Sequence, residues 1–228
     1  MLTAVVARSN ISAPYGISVL SLRRGADMAD LTFTVKIPGT FFRGGSIEDA
    51  FHGTTEAAAK SILKRGFVVP EKPTTEYGSG VYFFEGDYLA ALWWARGVCR
   101  HLGYDEGNSA VIQAEVDLGR TFFVNVMGEQ LEAIRNTLTE WYGESWEPED
   151  VLRLIGDELR NQGKIDSIKA VRRAKKTWEE PHRFRAEVVV LVFDPKRIKP
   201  ARIHMATDLE SGWSLEFTNE AANDESHD

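Results

Sequence analysis

The feature that most constrains the fold is the run from Glu187 to Phe193, in which one acidic residue precedes six apolar ones. An unbroken apolar run of this length, rich in valine and closed by Asp194 and Pro195, predicts the strongest β-strand of the chain. A strand this apolar has to lie inside a sheet, so its neighbours must come from elsewhere in the sequence.

Further strand and helix patterns are spread along the chain. Leu31, Phe33, Val35 and Ile37 alternate with polar residues, which predicts a half-buried strand. More strands are predicted over residues 110–116, 121–126 and 165–171, and helices over 56–65, 87–102, 129–141 and 148–161. Because the sequence has no internal repeat and no long linker, these elements predict one α+β domain.

The predicted domain spans residues 28–217. Residues 1–27 are weakly patterned and contain several turn formers, so we expect an irregular N-terminal extension. Residues 218–228 are acidic and almost devoid of large apolar side chains, which is typical of a disordered tail.

Composition and spacing argue against several classes of protein. With 27 Lys and Arg against 34 Asp and Glu, the net charge is −7, which disfavours a general nucleic-acid coat. The single cysteine, Cys99, excludes an internal disulfide, and five dispersed histidines predict no metal site. No apolar run approaches the roughly 20 residues of a membrane span, and the first residues lack the basic region of a signal peptide. We therefore expect a cytoplasmic protein, or one that acts in a target cell's cytoplasm if it is delivered as an effector.

Three segments combine residues that carry chemistry. Phe51-His52-Gly53-Thr54 precedes a helix, Tyr77-Gly78-Ser79-Gly80-Val81-Tyr82-Phe83 joins a glycine turn to a strand, and Glu187 opens the apolar strand. Taken singly, His52 can be a structural histidine, Tyr82 a core residue and Glu187 a polar strand end. The glycine turn lacks the third glycine of a dinucleotide fingerprint and precedes a strand, so it is not a Rossmann-type turn.

Taken in order, these segments resemble the ADP-ribosyltransferase superfamily, in the His-Tyr-Glu branch that contains poly(ADP-ribose) polymerases and diphtheria-type toxins. His52-Gly53-Thr54 with its following helix resembles the family's first segment, and Gly78-x-Gly80-Val-Tyr82-Phe83 resembles the second. The strand and turn over 111–119 and the strand over 187–194 complete the match, which covers roughly residues 48–200. The resemblance implies a split, strongly twisted β-sheet with flanking helices around an NAD cleft.

The resemblance also implies roles for individual residues. His52 would hydrogen-bond the adenine ribose of NAD, the Gly53 backbone would bind the carboxamide, and Tyr82 would stack on nicotinamide. Glu187 would bind the nicotinamide ribose and stabilise the oxocarbenium-like species of glycosidic cleavage. The other residues expected to bind NAD are Thr54, Tyr77, Gly80 and Trp93. NAD is then a co-substrate, and no metal is expected.

Two positions depart from the family pattern. The polymerases carry the acid at the position of Val189, two residues after Glu187 but on the same face of the strand. Glu115 is a reserve candidate for the acid, although the resembling strand gives it a structural role. Ala90 stands where the polymerases have a nicotinamide-binding serine, whereas Trp93 keeps an aromatic residue at a second pocket position.

The resemblance implies toxin-like mono-ADP-ribosyl transfer from NAD to a macromolecule, with release of nicotinamide. The segment from Arg172 to Arg185 holds six Lys or Arg and two acidic residues, which suits a nucleic-acid acceptor or an acidic protein surface. Two alternatives stay open, an RNA 2′-phosphotransferase-like enzyme and a non-catalytic module that binds NAD or ADP-ribose. The sequence does not identify an antitoxin or another regulator.

Overall fold

The computed structural model describes residues 3–4, 19–23, 32–36, 40–69, 78–142, 145–173 and 186–205, which form strands and four α-helices. The strands are β1 (Thr3–Ala4), β2 (Val19–Arg23), β3 (Thr32–Lys36), β4 (Thr40–Arg43), β5 (Ser46–Thr55), β6 (Val81–Glu85), β7 (Ser109–Asp117), β8 (Arg120–Asn125), β9 (Ser167–Arg173), β10 (Ala186–Val192) and β11 (Ile198–Met205). The helices are α1 (Glu56–Arg65), α2 (Tyr88–His101), α3 (Glu129–Tyr142) and α4 (Pro148–Asn161). Helices are interspersed among mostly antiparallel strands, so the predicted α+β class is confirmed.

The helix predictions agree closely with the structure because capping residues mark the helix ends. Helices α1 and α4 occupy the predicted ranges. Helix α1 is capped by Thr55, whose Oγ1 accepts a hydrogen bond from the Ala58 N–H at 3.2 Å. It ends at Gly66, whose φ of 78° is a conformation that favours glycine. Asp87 caps α2 in the same way, through the N–H of Ala90.

The N-terminal residues that the sequence predicts to be irregular include two strands. Strands β1, β2 and β3 form a separate antiparallel sheet in that order. In β2, Leu20 and Leu22 alternate with polar residues, a pattern that the preceding turn formers Pro14 and Gly16 obscured. The domain boundary at residue 28 stays a prediction, and the predicted tail over 218–228 lies outside the described residues.

Contacts along the chain define two compact units. The first unit comprises Met1–Gly45, Val69–Val81 and Leu118–Asp194. The second unit comprises Ser46–Val68, Tyr82–Asp117 and Pro195–Asp228.

The second unit is built on antiparallel strands in the order β11–β7–β5–β6. Helix α2 packs against β5 and β7. Its buried face consists of Ala91, Leu92, Ala95 and Cys99, so small side chains let the helix approach the sheet closely. Cys99 is a buried, free cysteine in the core of this unit.

The first unit contains the strand order β10–β9–β8–β4. Strands β8 and β9 are parallel, and parallel neighbours need a long crossover connection. Helices α3 and α4 supply that crossover and pack against each other. The buried leucines and isoleucines of this pair are Leu131, Ile134, Leu138, Leu152, Ile155 and Leu159. Among the helices described, none has both the length and the apolarity needed to cross a membrane.

Candidate functional site

His52 lies where two strands of the second unit separate. Strand β5 pairs with β7 along Ser46–Thr55, with a register shift between Ile47 and Ala50. Its register with β6 consists of two residue pairs and ends at Phe51↔Phe84. One residue later a side chain bridges the strands, since Nδ1 of His52 lies 2.8 Å from the backbone oxygen of Tyr82. The sheet is thus held together at this point by a side-chain hydrogen bond.

The surroundings of His52 fix its protonation state. Burial lowers the pKa of His52 below its ordinary value of 6.5, and the hydrogen bond to Tyr82 opposes that shift. The ring is therefore neutral at about pH 7. A carbonyl oxygen only accepts, so the proton sits on Nδ1, and Nε2 is left as an acceptor. Phe67 and Phe83 hold the ring, with centroids 5.2 and 5.8 Å from that of the imidazole.

Gly53 is a glycine because α2 passes directly over it. A Cβ at this position would lie 2.0 Å from the backbone oxygen of Ala91 and 3.0 Å from the nitrogen of Ala95. The packing of the helix therefore explains the missing side chain without any ligand. Thr54, the next residue predicted to bind NAD, is half-buried and lies opposite Ala110 of β7.

The ring of Tyr82 is buried beside a tryptophan that the sequence analysis did not select. Its side chain is 7% exposed and stacks on Trp94, with centroids 6.0 Å apart and an interplanar angle of 26°. Phe84 meets the same ring edge-on at 5.3 Å. Trp94 follows the buried Ala91 by three residues, a spacing that puts both on one face of the helix. This spacing is the sequence signal from which Trp94 could have been identified as a candidate for this site. Trp93, the predicted NAD-binding residue, is half-buried on α2.

The glycine turn before β6 is anchored inside the first unit. A Cβ on Gly80 would lie 2.8 Å from Cγ of Leu191 and 2.9 Å from the backbone oxygen of Val192, so packing against β10 requires glycine here. Arg160 of α4 donates from Nη1 to the Ser79 carbonyl at 3.0 Å. The same guanidinium lies 5.1 Å above the ring of Phe193, which is a cation–π contact.

A second contact with α4 involves the first glycine of the turn. Gly78 has a φ of 110°, which favours glycine, and a Cβ there would lie 3.0 Å from Oδ1 of Asp157. Burial raises the pKa of Asp157, while Arg160 and Arg153 act in the opposite direction. Tyr77, predicted to bind NAD, lies outside the described residues.

Glu187 forms a nearly buried ion pair with Arg172 of the neighbouring strand. The two residues are register partners in the antiparallel pair β9–β10. Nε of Arg172 donates to Oε2 of Glu187 at 3.1 Å, and the side chains are only 7% and 11% exposed. Arg172 is the first residue of the predicted basic acceptor segment, but it faces Glu187 and is buried. The next residue of that segment, Arg173, is exposed, and residues 174–185 lie outside the described residues.

The reserve carboxylate has a different setting. Glu115 of β7 is 41% exposed and lies 3.5 Å from Nζ of Lys199, its register partner on β11. An exposed ion pair of this kind contributes little to stability and imposes no fixed geometry. Ala90 occupies the first turn of α2 and is half-buried.

The structure brings some of the predicted site residues together. His52, Gly53 and Tyr82 meet in the second unit, where β5 and β6 separate. Gly80 and Glu187 belong to the first unit, and the approach of Glu187 to His52 stays a prediction from the resemblance. Across the described ranges, no group of three or more His, Cys, Asp or Glu residues could hold a metal ion.

No family model matches the chain, and no curated protein matches it. Among solved structures, it is similar to the MbcT–MbcA toxin–antitoxin complex of M. tuberculosis. The TM-score is 0.40 at 10% sequence identity, and the match covers 74% of this chain and 90% of that chain.

Proposed function

We propose that this protein transfers a single ADP-ribose group from NAD to a macromolecule and releases nicotinamide. The observation that carries the proposal is the separation of β5 and β6 at His52, where the imidazole bonds to the Tyr82 carbonyl. A gap of this kind in a sheet leaves a strand edge at which a ligand can pair with backbone groups.

The chemistry of this edge suits a nucleotide. Neutral His52 offers Nε2 as an acceptor, and a ribose hydroxyl is a donor that matches it. Gly53 follows on the same strand, and its backbone carries both a donor and an acceptor. The carboxamide of nicotinamide has the complementary pair of groups, so the two can form the hydrogen bonds that strands normally exchange. In this proposal Tyr82 provides the aromatic contact for nicotinamide, and its carbonyl orients His52.

Transfer breaks the bond between C1′ of the nicotinamide ribose and the ring nitrogen of nicotinamide. The electron pair of that bond leaves with nicotinamide, which departs as a neutral molecule, and C1′ becomes part of an oxocarbenium-like species. A nucleophilic atom of the acceptor forms the new bond to C1′ and loses a proton. The carboxylate of Glu187 would stabilise the positive charge that develops on the ribose.

A protein that binds NAD without cleaving it is the second candidate. The observation that favours it is the ion pair of Glu187 with Arg172, because a carboxylate that pairs with a buried guanidinium can have a purely structural role. Both candidates use His52 in the same way, so they differ only in what Glu187 does.

Label transfer separates the two candidates. NAD with a tagged adenine is incubated with the full chain and a cell lysate, using the wild type, E187Q and E115Q. Glu115 is the matched control because it is also a strand carboxylate in an ion pair, but an exposed one. Each labelled sample is divided between a protease and a nuclease, and the digestion that releases the label identifies protein or nucleic acid as the acceptor.

We expect label from the wild type and from E115Q, and a loss of about 100-fold or more in E187Q, the size typical of removing an electrostatic stabiliser of a transition state. Label that persists in E187Q would discard Glu187 as the acid. If the wild type transfers no label but NAD still raises its melting temperature, the second candidate, a protein that binds NAD without cleaving it, is supported.

A further inference from the structure

We propose that Arg172 is a positioning residue that holds the carboxylate of Glu187 in its reactive orientation. This inference rests on the proposed function, because it concerns the same carboxylate. It gives Arg172 a task inside the protein, in place of the contact with an acceptor that the basic segment suggested.

The structure holds Arg172 and Glu187 in a fixed position relative to each other. Arg172 and Glu187 lie directly opposite each other on antiparallel strands, so their Cβ atoms are held at a fixed separation by the ladder. The guanidinium donates through Nε to Oε2 at 3.1 Å. With side chains 7% and 11% exposed, neither group has room to sample many rotamers.

The composition of the ladder sets this pair apart. Farther along β9–β10 the register partners are mostly apolar: Val188↔Val171, Val189↔Ala170 and Leu191↔Ile168. Desolvating two charges is costly, and a buried ion pair often stabilises a fold no better than well-packed apolar residues of the same volume. A valine pair would therefore serve this position as well if only packing mattered. The charged pair is better explained by a requirement for the carboxylate itself.

An ion pair that fixes the carboxylate suits the chemistry assigned to Glu187. The carboxylate must be ionised to stabilise a positive charge, and an opposite charge in contact favours the ionised form. It must also point in one direction, since a small misplacement of a catalytic group lowers the rate strongly. Arg172 does both and does not itself need to touch NAD, so its loss lowers kcat and leaves the binding of NAD nearly unchanged.

Steady-state kinetics of nicotinamide release test this assignment. The variants are R172M, R172K, R172M/E187Q and R100Q, all in the full chain. Arg100 is the matched control because it is also an arginine paired with a glutamate, Glu106, but in an exposed ion pair. For R172M we expect kcat to fall by about tenfold or more and KM for NAD to change by less than about twofold. R172K should recover part of the loss because it restores a positive charge, and R100Q should match the wild type.

The double variant separates positioning from folding. R172M/E187Q removes both charges, so its melting temperature should exceed that of R172M, while its activity should equal that of E187Q. The inference is overturned if R172M keeps the wild-type kcat, if KM alone changes, or if R172M lowers activity further in the E187Q background. If the wild type releases no nicotinamide in the presence of a lysate, the proposed function itself fails, and the inference fails with it.

Discussion

Gly53 offers the sharpest test of the packing that surrounds the candidate site. In G53A, the new Cβ would lie 2.0 Å from the backbone oxygen of Ala91 and 2.9 Å from its carbon. Carbon contacts are favourable at about 3.5–4.0 Å, so α2 has to move away by more than about 1 Å. Ala91 and Ala95 are fully buried, and α2 packs on both β5 and β7, so this movement disrupts the core of the second unit.

The size of the effect follows from that geometry. Overpacking a core costs about 1–3 kcal/mol of folding free energy. Because backbone atoms cannot rotate away from a clash as a side chain can, we expect G53A to cost about 3 kcal/mol, the upper end of that range. In a chain of 228 residues each kcal/mol lowers the melting temperature by about 2–4 °C, so G53A should melt about 6–12 °C below the wild type.

Differential scanning fluorimetry measures this shift, and G45A is the matched control. A Cβ on Gly45 would meet nothing within 4 Å, so G45A should stay within about 2 °C of the wild type. If G53A melts as high as G45A, α2 does not cross β5 at Gly53, and the packing explanation for this glycine is wrong.

Two further predictions concern His52 and Arg160. Burial lowers the pKa of His52 below 6.5, so near that pH the folded state binds fewer protons than the unfolded state. The stability that neutral His52 contributes is therefore present above about pH 6.5 and is lost as the pH falls through the folded-state pKa. The melting temperature should therefore drop more between about pH 7.5 and 5.5 in the wild type than in H52Q, and equal drops in a thermal scan would refute the assigned protonation state. R160Q loses the bond to Ser79 and the contact with Phe193, and chemical denaturation should report a loss of about 1–2 kcal/mol. R153Q on the same helix removes an exposed pair with Asp150 and should change little; equal losses in the two variants would contradict the anchoring role of Arg160.

Local signals were enough to predict most of the elements. The ends of α1 are set by Thr55 and Gly66, and both act within a few residues, so the sequence contains the whole signal. Strand β11 gave no such signal because Pro200 lies inside it, and a proline within a run argues against a strand. Proline is tolerated there because β11 lies at the end of the order of the described strands, so no described strand on its outer side needs a backbone N–H donor from it.

The candidate site was only partly predictable, because its decisive contacts join distant residues. Nothing near His52 in the sequence indicates that its ring bonds to the backbone of Tyr82, 30 residues later. The pairing of Glu187 with Arg172 depends on the register of β9 and β10, which the sequence pattern alone does not fix. Gly53 and Gly80 were selected as ligand contacts, whereas the structure gives each a packing reason that involves residues far along the chain.

The most direct test of the account is the release of nicotinamide from NAD by the full chain in the presence of a cell lysate. We expect steady release by the wild type and by E115Q, and a loss of about 100-fold or more in E187Q. E187Q should also melt below the wild type, because the buried Arg172 loses the charge of Glu187, so release is measured at a temperature at which E187Q is still folded. Release by E187Q at the wild-type rate would contradict the claim that this carboxylate carries the reaction.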